Sequence, residues 1–269
     1  SLKPLQADAM VAAGLDLPVD LLAVACGSHS GEAMHLDAAR RTLETVGITE
    51  ADLQNTPARP YGLAACENAR RAGIEPSALQ QNCSGKHAAM LATCKINDWP
   101  IEHYLAAEHP LQQAITEHIA ELIGGAISEI GVDGCGAPTH AFSLRRLADA
   151  FAAVAMAEGP VARAMRAHPE LVGGTGRDIT AWMQAVPGLI AKEGAAGVMA
   201  AALPDGRAVA YKISDGSNAA RQAVMPKAMN LLGVDRDTIQ RVVSETRVPV
   251  LGHGREVGQL SPLRWLASD

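Results

Sequence analysis

Asn82-Cys83-Ser84-Gly85-Lys86-His87 sets a cysteine and a lysine three residues apart at the start of a predicted helix. Steps of three and four share a helix face, so Cys83, Lys86 or His87, Met90, Leu91 and Cys94 line up. A lysine beside an apolar stripe must find a partner for its charge or give up its proton. One hexapeptide thus marks a core helix and a candidate site together.

Upstream of this helix, residues 4–13 read as helical, with Pro4 suited to the first position and Gly14 to the stop. Residues 21–26 are a short apolar run, predicted as a buried strand that ends in the polar turn Gly27-Ser28-His29-Ser30-Gly31-Glu32. Helices are predicted at 36–46, 63–72, 84–97 and 110–123, with a Pro-, Asn- and Gly-marked loop at 55–62. Downstream, the glycine-rich stretch 124–138 reads as a short strand entering a tight exposed loop. Thr139 is the expected cap of a helix reaching about residue 156, where Leu144, Leu147, Phe151 and Val154 repeat at helical spacing. Gly173, Gly174 and Gly176 mark another loop. Residues 197–203 and 207–213 flank Pro204-Asp205-Gly206 and predict a β-hairpin. A helical region precedes Gly233, and 248–264 reads as strand and loop.

Strands therefore cluster toward both ends, with helices between. That pattern predicts an α+β fold, with one sheet drawn from both termini and a helical lobe inserted. No repeat or linker appears, so residues 1–269 are expected to form one catalytic unit, or two closely packed lobes. No GxGxxG or GxxxxGK[ST] occurs, which speaks against dinucleotide and P-loop sites.

Of the 269 residues, 48% are apolar but only 3% aromatic, so small aliphatic side chains must fill the core. A net charge of −6 without like-charge blocks argues against nucleic acid and anionic membrane as partners. No run of 18 apolar residues suggests a membrane span. Five cysteines, an odd number without small-scaffold spacing, read as reduced thiols in a cytoplasmic protein. The chain opens Ser1-Leu2-Lys3 without an initiator methionine, so an earlier segment is expected.

Several constellations could carry chemistry. Cys83, Lys86 and Cys135 offer two soft sulfurs and a nitrogen, a donor set suited to zinc once deprotonated. His87 is the more ordinary nitrogen ligand and sits close enough to compete. The plain alternative is two core cysteines and a lysine whose head reaches water. Ser28 to Glu32 crowds hydroxyls, an imidazole and a carboxylate into one turn, as a nucleophile site or merely a helix cap. Serine–lysine chemistry wants a three-residue step, yet Ser1 and Lys3 are two apart. The properly spaced partner of Lys3 would precede Ser1. Lys212, before Ser214-Asp215-Gly216, sits where a strand could present a second basic group. Asp133, ahead of Gly134-Cys135, could orient a hydroxyl or an ammonium, or simply make an Asp-Gly turn.

Together these segments resemble the rhizobial-type L-asparaginase II family. Asn82-Cys-Ser-Gly-Lys-His-Ala-Ala-Met-Leu, Asp133-Gly-Cys-Gly-Ala-Pro and Cys26-Gly-Ser-His-Ser-Gly-Glu carry the resemblance. Leu2-Lys-Pro-Leu-Gln, His109-Pro-Leu-Gln, Lys192-Glu-Gly-Ala-Ala-Gly-Val and Lys212-Ile-Ser-Asp-Gly-Ser agree in order. The resemblance implies a fold similar to serine β-lactamases, penicillin-binding proteins and glutaminases. It implies hydrolysis of L-asparagine to L-aspartate and ammonia, zinc held by Cys83, Lys86 and Cys135, and paired Ser–Lys tandems. It matches Ser28 and Lys212 to one tandem, Lys3 to the other and Asp133 to an aspartate near the serines, and it leaves a homodimer open. Two rivals stand beside it. One is another serine hydrolase of the β-lactamase kind, against which the lysine strand reads Lys-Ile-Ser-Asp-Gly rather than Lys-Thr-Gly. The other is a non-catalytic protein that binds an amino acid or zinc.

Overall fold

Residues 1–262 are described by a computed structural model. Helices α1 (Lys3–Ala12), α2 (Val19–Ala25), α3 (Ala33–Glu44), α4 (Leu63–Arg71), α5 (Ser84–Ile96) and α6 (Pro110–Leu122) occupy the first part of the chain. The hairpin β1 (Glu129–Val132) and β2 (Pro138–Ala141) follows, then α7 (Leu144–Ala157), α8 (Pro160–Ala167), α9 (Pro169–Val172) and α10 (Asp178–Ala185). A three-stranded antiparallel sheet comes next, β3 (Ile190–Gly194), β4 (Val198–Ala202) and β5 (Ala208–Lys212), in the order β3-β4-β5. Helices α11 (Asn218–Leu231) and α12 (Arg236–Thr246) and the exposed hairpin β6 (Pro249–Gly252) and β7 (Arg255–Gln259) complete the described chain.

Three expectations change. The apolar run at 21–26 is helical, not a strand. Pro18 precedes α2, Asp20 lies in its first turn, and Leu21 through Ala25 are buried on every side. A short, wholly apolar run has no period to distinguish helix from strand, and burial on all faces suits a central helix. As a result the sheet does not draw on both termini. Among the described residues its three strands lie between 190 and 212, and β6 and β7 pair only with each other. Thr139 lies in β2, and Ser143 caps α7 by accepting from the Arg146 N–H. The 248–264 prediction holds for β6 and β7; residues 263 and 264 lie outside the described residues.

The core has two centres. In the helical part, α5 packs against α1, α2 and α3 and is buried from Ser84 to Cys94, all the way around rather than along a stripe. Closeness there is set by Gly85: a Cβ at this position would sit 2.6 Å from the Val24 carbonyl oxygen, so α2 and α5 touch through backbone. In the other part, α7 lies on β4 and β5 while α10 packs on β3. Arg221 of α11 reaches Asp178 of α10 at 2.9 Å, and both side chains are almost wholly buried. Between the centres runs β3, a sheet edge that packs against α10 and α8.

Candidate active site

Lys3 sits in the first turn of α1, just after Leu2, with Pro4 next to it. Its ammonium donates to the Gly27 carbonyl at 2.5 Å and to the Asn82 carbonyl at 3.1 Å. One cation thereby ties three stretches together: α1, the turn after α2 and the start of α5. The first acceptor belongs to the residue just before Ser28, and the second to the residue just before Cys83. Gln81 fixes the same junction, its Oε1 accepting from the Cys83 N–H and from Asn55, both at 3.0 Å.

A cavity of about 720 Å³ opens over this junction. Lys3, Ser28, Cys83, Asp133, Cys135 and Glu193 are among the residues lining it, with Tyr61, His140 and Arg177. Lys86 is fully buried, and its Nζ lies 3.3 Å from the Cys135 Sγ. Interaction with Cys135 outweighs burial and lowers the Cys83 pKa, while the same interaction, reinforced by burial, raises that of Cys135. Two sulfurs and an amine thus converge in a dry corner. Among the described residues no three histidine, cysteine or carboxylate side chains gather for a metal, because the third donor here is a lysine. His87 faces elsewhere. Its Nδ1 pairs with the Tyr104 hydroxyl at 2.8 Å, and that hydroxyl accepts from the Gln54 N–H. Burial, then the charges of Lys86 and Lys3, hold its imidazole neutral.

The wall opposite the thiols is the end of β3. Lys192 and Glu193 occupy consecutive strand positions and are buried. Lys192 lies behind the wall, its ammonium donating to the Glu193 carbonyl at 2.6 Å and lying 3.3 Å from Glu193 Oε1. Burial lowers its pKa to about 8; Glu193 resists this, and Lys3 and Arg177 add to it. Glu193 Oε1 also accepts from Arg177 Nη2 at 2.9 Å, and the Arg177 guanidinium lies over the Tyr61 ring, 4.8 Å from its centroid. Burial disfavours the Glu193 carboxylate, but Lys192, Arg177 and Arg221 prevail and hold it at about 2. Gly194 ends the strand because a Cβ there would meet the Ser1 backbone nitrogen at 2.7 Å.

Six of the residues singled out by sequence meet here: Lys3, Ser28, Cys83, Lys86, Asp133 and Cys135. Asp133 is half-buried, with Oδ1 accepting from the Gly134 N–H at 2.7 Å. Within the turn after α2, Ser28 alone lines the cavity. His29 holds Ser84 Oγ at 2.9 Å, Ser30 donates to the Gly173 carbonyl, and Glu32 accepts from Thr175 while capping α3. His29 and His35 stack at 4.9 Å, and burial keeps His29 uncharged.

Lys212 is not among them. It ends β5, two strands from β3, and its exposed ammonium turns to the carbonyl of Ile213. Its register partner Val198 and the nearby Gly216 line the cavity, while β3 contributes Glu193 and Gly194 to the lining with Lys192 buried behind them. Lys192-Glu193-Gly194 forms a Lys-x-Gly strand end. The signal available was a lysine two residues before a glycine, inside a run ending in Gly-Val at the next strand. Arg177 gave no such signal; only the fold brings it from the loop before α10.

The family model described as L-asparaginase II matches residues 1–262. No curated protein matches the chain. Among the described residues no helix is long and apolar enough to cross a membrane.

Proposed function

Since the chain belongs to the L-asparaginase II family, as an asparaginase-like amidohydrolase acting on a small-molecule amide, we propose that it converts L-asparagine to L-aspartate and ammonia in the cavity between α1, α5 and β3. The observation that carries the reading is the meeting of Ser28, Lys3 and the Lys192–Glu193 strand around one space. In the overall reading, the helical part and the antiparallel sheet whose edge carries Lys-x-Gly make a β-lactamase-like arrangement.

Amide hydrolysis needs a nucleophile, a proton carrier and a stabiliser of the oxyanion. The Ser28 hydroxyl attacks the side-chain carboxamide carbon, forming an O–C bond. The lysine pair takes the hydroxyl proton and returns it to the nitrogen, the C–N bond breaks and ammonia leaves. Water then cleaves the acyl ester to release aspartate. Of the two lysines, Lys192 has the pKa lowered toward the working range of a base. Asp133, on the opposite loop, accepts from its own loop and stands near enough to orient a donor of the substrate.

Cys83, Lys86 and Cys135 fit zinc: two soft sulfurs, one with its pKa lowered, and an amine within hydrogen-bond reach of the other. When bound, zinc supplies a fixed positive charge that polarises a substrate oxygen and keeps its ligands deprotonated. Cys135→Ala should lose bound zinc in metal analysis of the purified protein; unchanged stoichiometry would remove it from the ligand set. For the reaction, ammonia release from L-asparagine is expected to fall at least about 10³-fold in Ser28→Ala. A wild-type rate in that variant would end the serine mechanism.

A further inference from the structure

Glu193 holds one buried valence that no described residue uses. Its Oε1 is doubly engaged, by Arg177 at 2.9 Å and by Lys192 at 3.3 Å. Oε2 is buried and has no hydrogen-bond partner among the described residues. The side chain is 8% exposed and lines the cavity. A buried carboxylate oxygen left open is costly unless a ligand completes it. Burial opposes its charge, but Lys192, Arg177 and Arg221 outweigh burial and favour the carboxylate.

The other cavity groups narrow what that ligand is. Asp133 is the second carboxylate lining the space, but it is half-buried on a loop, where its Oδ1 accepts from the Gly134 N–H. Lys3 and Arg177 supply positive charge on the same walls. Glu193 is therefore the buried carboxylate of the cavity, set among cations, which is the complement of a zwitterion, while the Cys83 sulfur belongs with Lys86 and Cys135. An α-ammonium brings three donors and a positive charge to an acceptor that lacks both; an α-carboxylate finds the cations.

We propose that Glu193 Oε2 receives the α-ammonium of the substrate, so that the site selects amides of α-amino acids over amides that lack the amino group. This rests on the amidohydrolase reading for the identity of the ligand, but its geometry is that of recognition rather than chemistry. Glu193 is then a specificity residue on β3, and its pairing with Arg177 aligns the group that meets the α-carboxylate with the group that meets the ammonium.

The test is a cycle of residue and ligand. Calorimetry would give Kd for L-aspartate and for succinate, its analogue without the amino group, in wild type and Glu193→Gln. Ammonia release would be followed in parallel from L-asparagine and succinamate. Wild type is expected to favour the amino-bearing ligand by at least about tenfold in both assays. Glu193→Gln should weaken aspartate at least about tenfold while leaving succinate within about twofold, so the ratio collapses. Equal weakening of both ligands would reduce Glu193 to a prop for Arg177 and Lys192 and overturn the proposal. So would a wild type that binds succinate as tightly as aspartate, or binds neither. If Glu193→Gln does not fold, the wild-type comparison decides alone, with N-acetyl-L-asparagine as a third probe expected to bind at least about tenfold more weakly than asparagine. Selective aspartate binding without any ammonia release would support Glu193 recognition and reject the hydrolase. Equal turnover of asparagine and succinamate would do the reverse.

Discussion

At the scale of the residue, Lys192 links burial to chemistry. Its ammonium is wholly buried among Lys3, Arg177 and Glu193, and burial brings its pKa to about 8. A base acts in its neutral form, so kcat/KM for asparagine should rise as pH increases through about 8 and level above it. Lys192→Met should remove that inflection and cost about 10²- to 10⁴-fold in rate. A pH–rate profile for both proteins checks this, and an unchanged inflection in the variant would move the base to another group. Lysine makes the effect possible where arginine would not, because a guanidinium keeps its proton even when buried.

At the scale of the element, α1 and α5 must hold the site within fractions of an ångström. α5 touches α2 through Gly85, where a methyl group would meet the Val24 carbonyl, a backbone atom that cannot swing aside. Gly85→Ala should therefore destabilise by about 1–3 kcal/mol in urea unfolding. Activity should fall as well, since Cys83 and Lys86 ride on the same turn. α1 is tethered on its other side by Asp8, whose Oδ2 lies 2.8 Å from the His118 Nε2 on α6. The hydrogen bond to Asp8 raises the His118 pKa against partial burial. A raised folded pKa means that the stabilisation is complete below the unfolded value near 6.5 and fades as pH climbs through the folded one. The pair is partly exposed, so it is worth about 1 kcal/mol or less. Melting temperatures between pH 5.5 and 8.5 should show a fall on the alkaline side that His118→Gln abolishes.

At the scale of the whole molecule, the cavity exists because a helical part and a sheet edge are held against each other. The Arg221–Asp178 pair joins α11 to α10 beneath β3, nearly dry at 2.9 Å. Removing one partner leaves an uncompensated buried charge, so Asp178→Ala should cost about 3–5 kcal/mol in urea unfolding. Much of this arrangement was legible in the sequence. The helices at 63–72, 84–97 and 110–123 and the hairpin around Pro204-Asp205-Gly206 carry clear periods and punctuation, and the structure follows them. The nearness of Cys83 and Lys86 was legible as well, because they are three apart at the start of one helix, and only Cys135 had to arrive from elsewhere. What stayed hidden depends on strand order and on packing. Residues 21–26 have no internal period, and only contact with α5 and its neighbours decides for helix. Lys192 and Lys212 both end up on strands of one sheet; that β3 buries its lysine while β5 exposes its own is a property of the assembled fold. Arg177 and Glu193 owe their roles to a meeting across sixteen residues of chain that no local pattern announces.

The choice between those two lysines is where the account is most exposed, and ammonia release from L-asparagine by Lys192→Met and Lys212→Ala, assayed side by side with wild type, addresses it directly. The expected result is a loss of about 10²- to 10⁴-fold for Lys192→Met and a rate within about twofold of wild type for Lys212→Ala. The opposite ranking, with Lys212→Ala inactive and Lys192→Met intact, would contradict the site as drawn here.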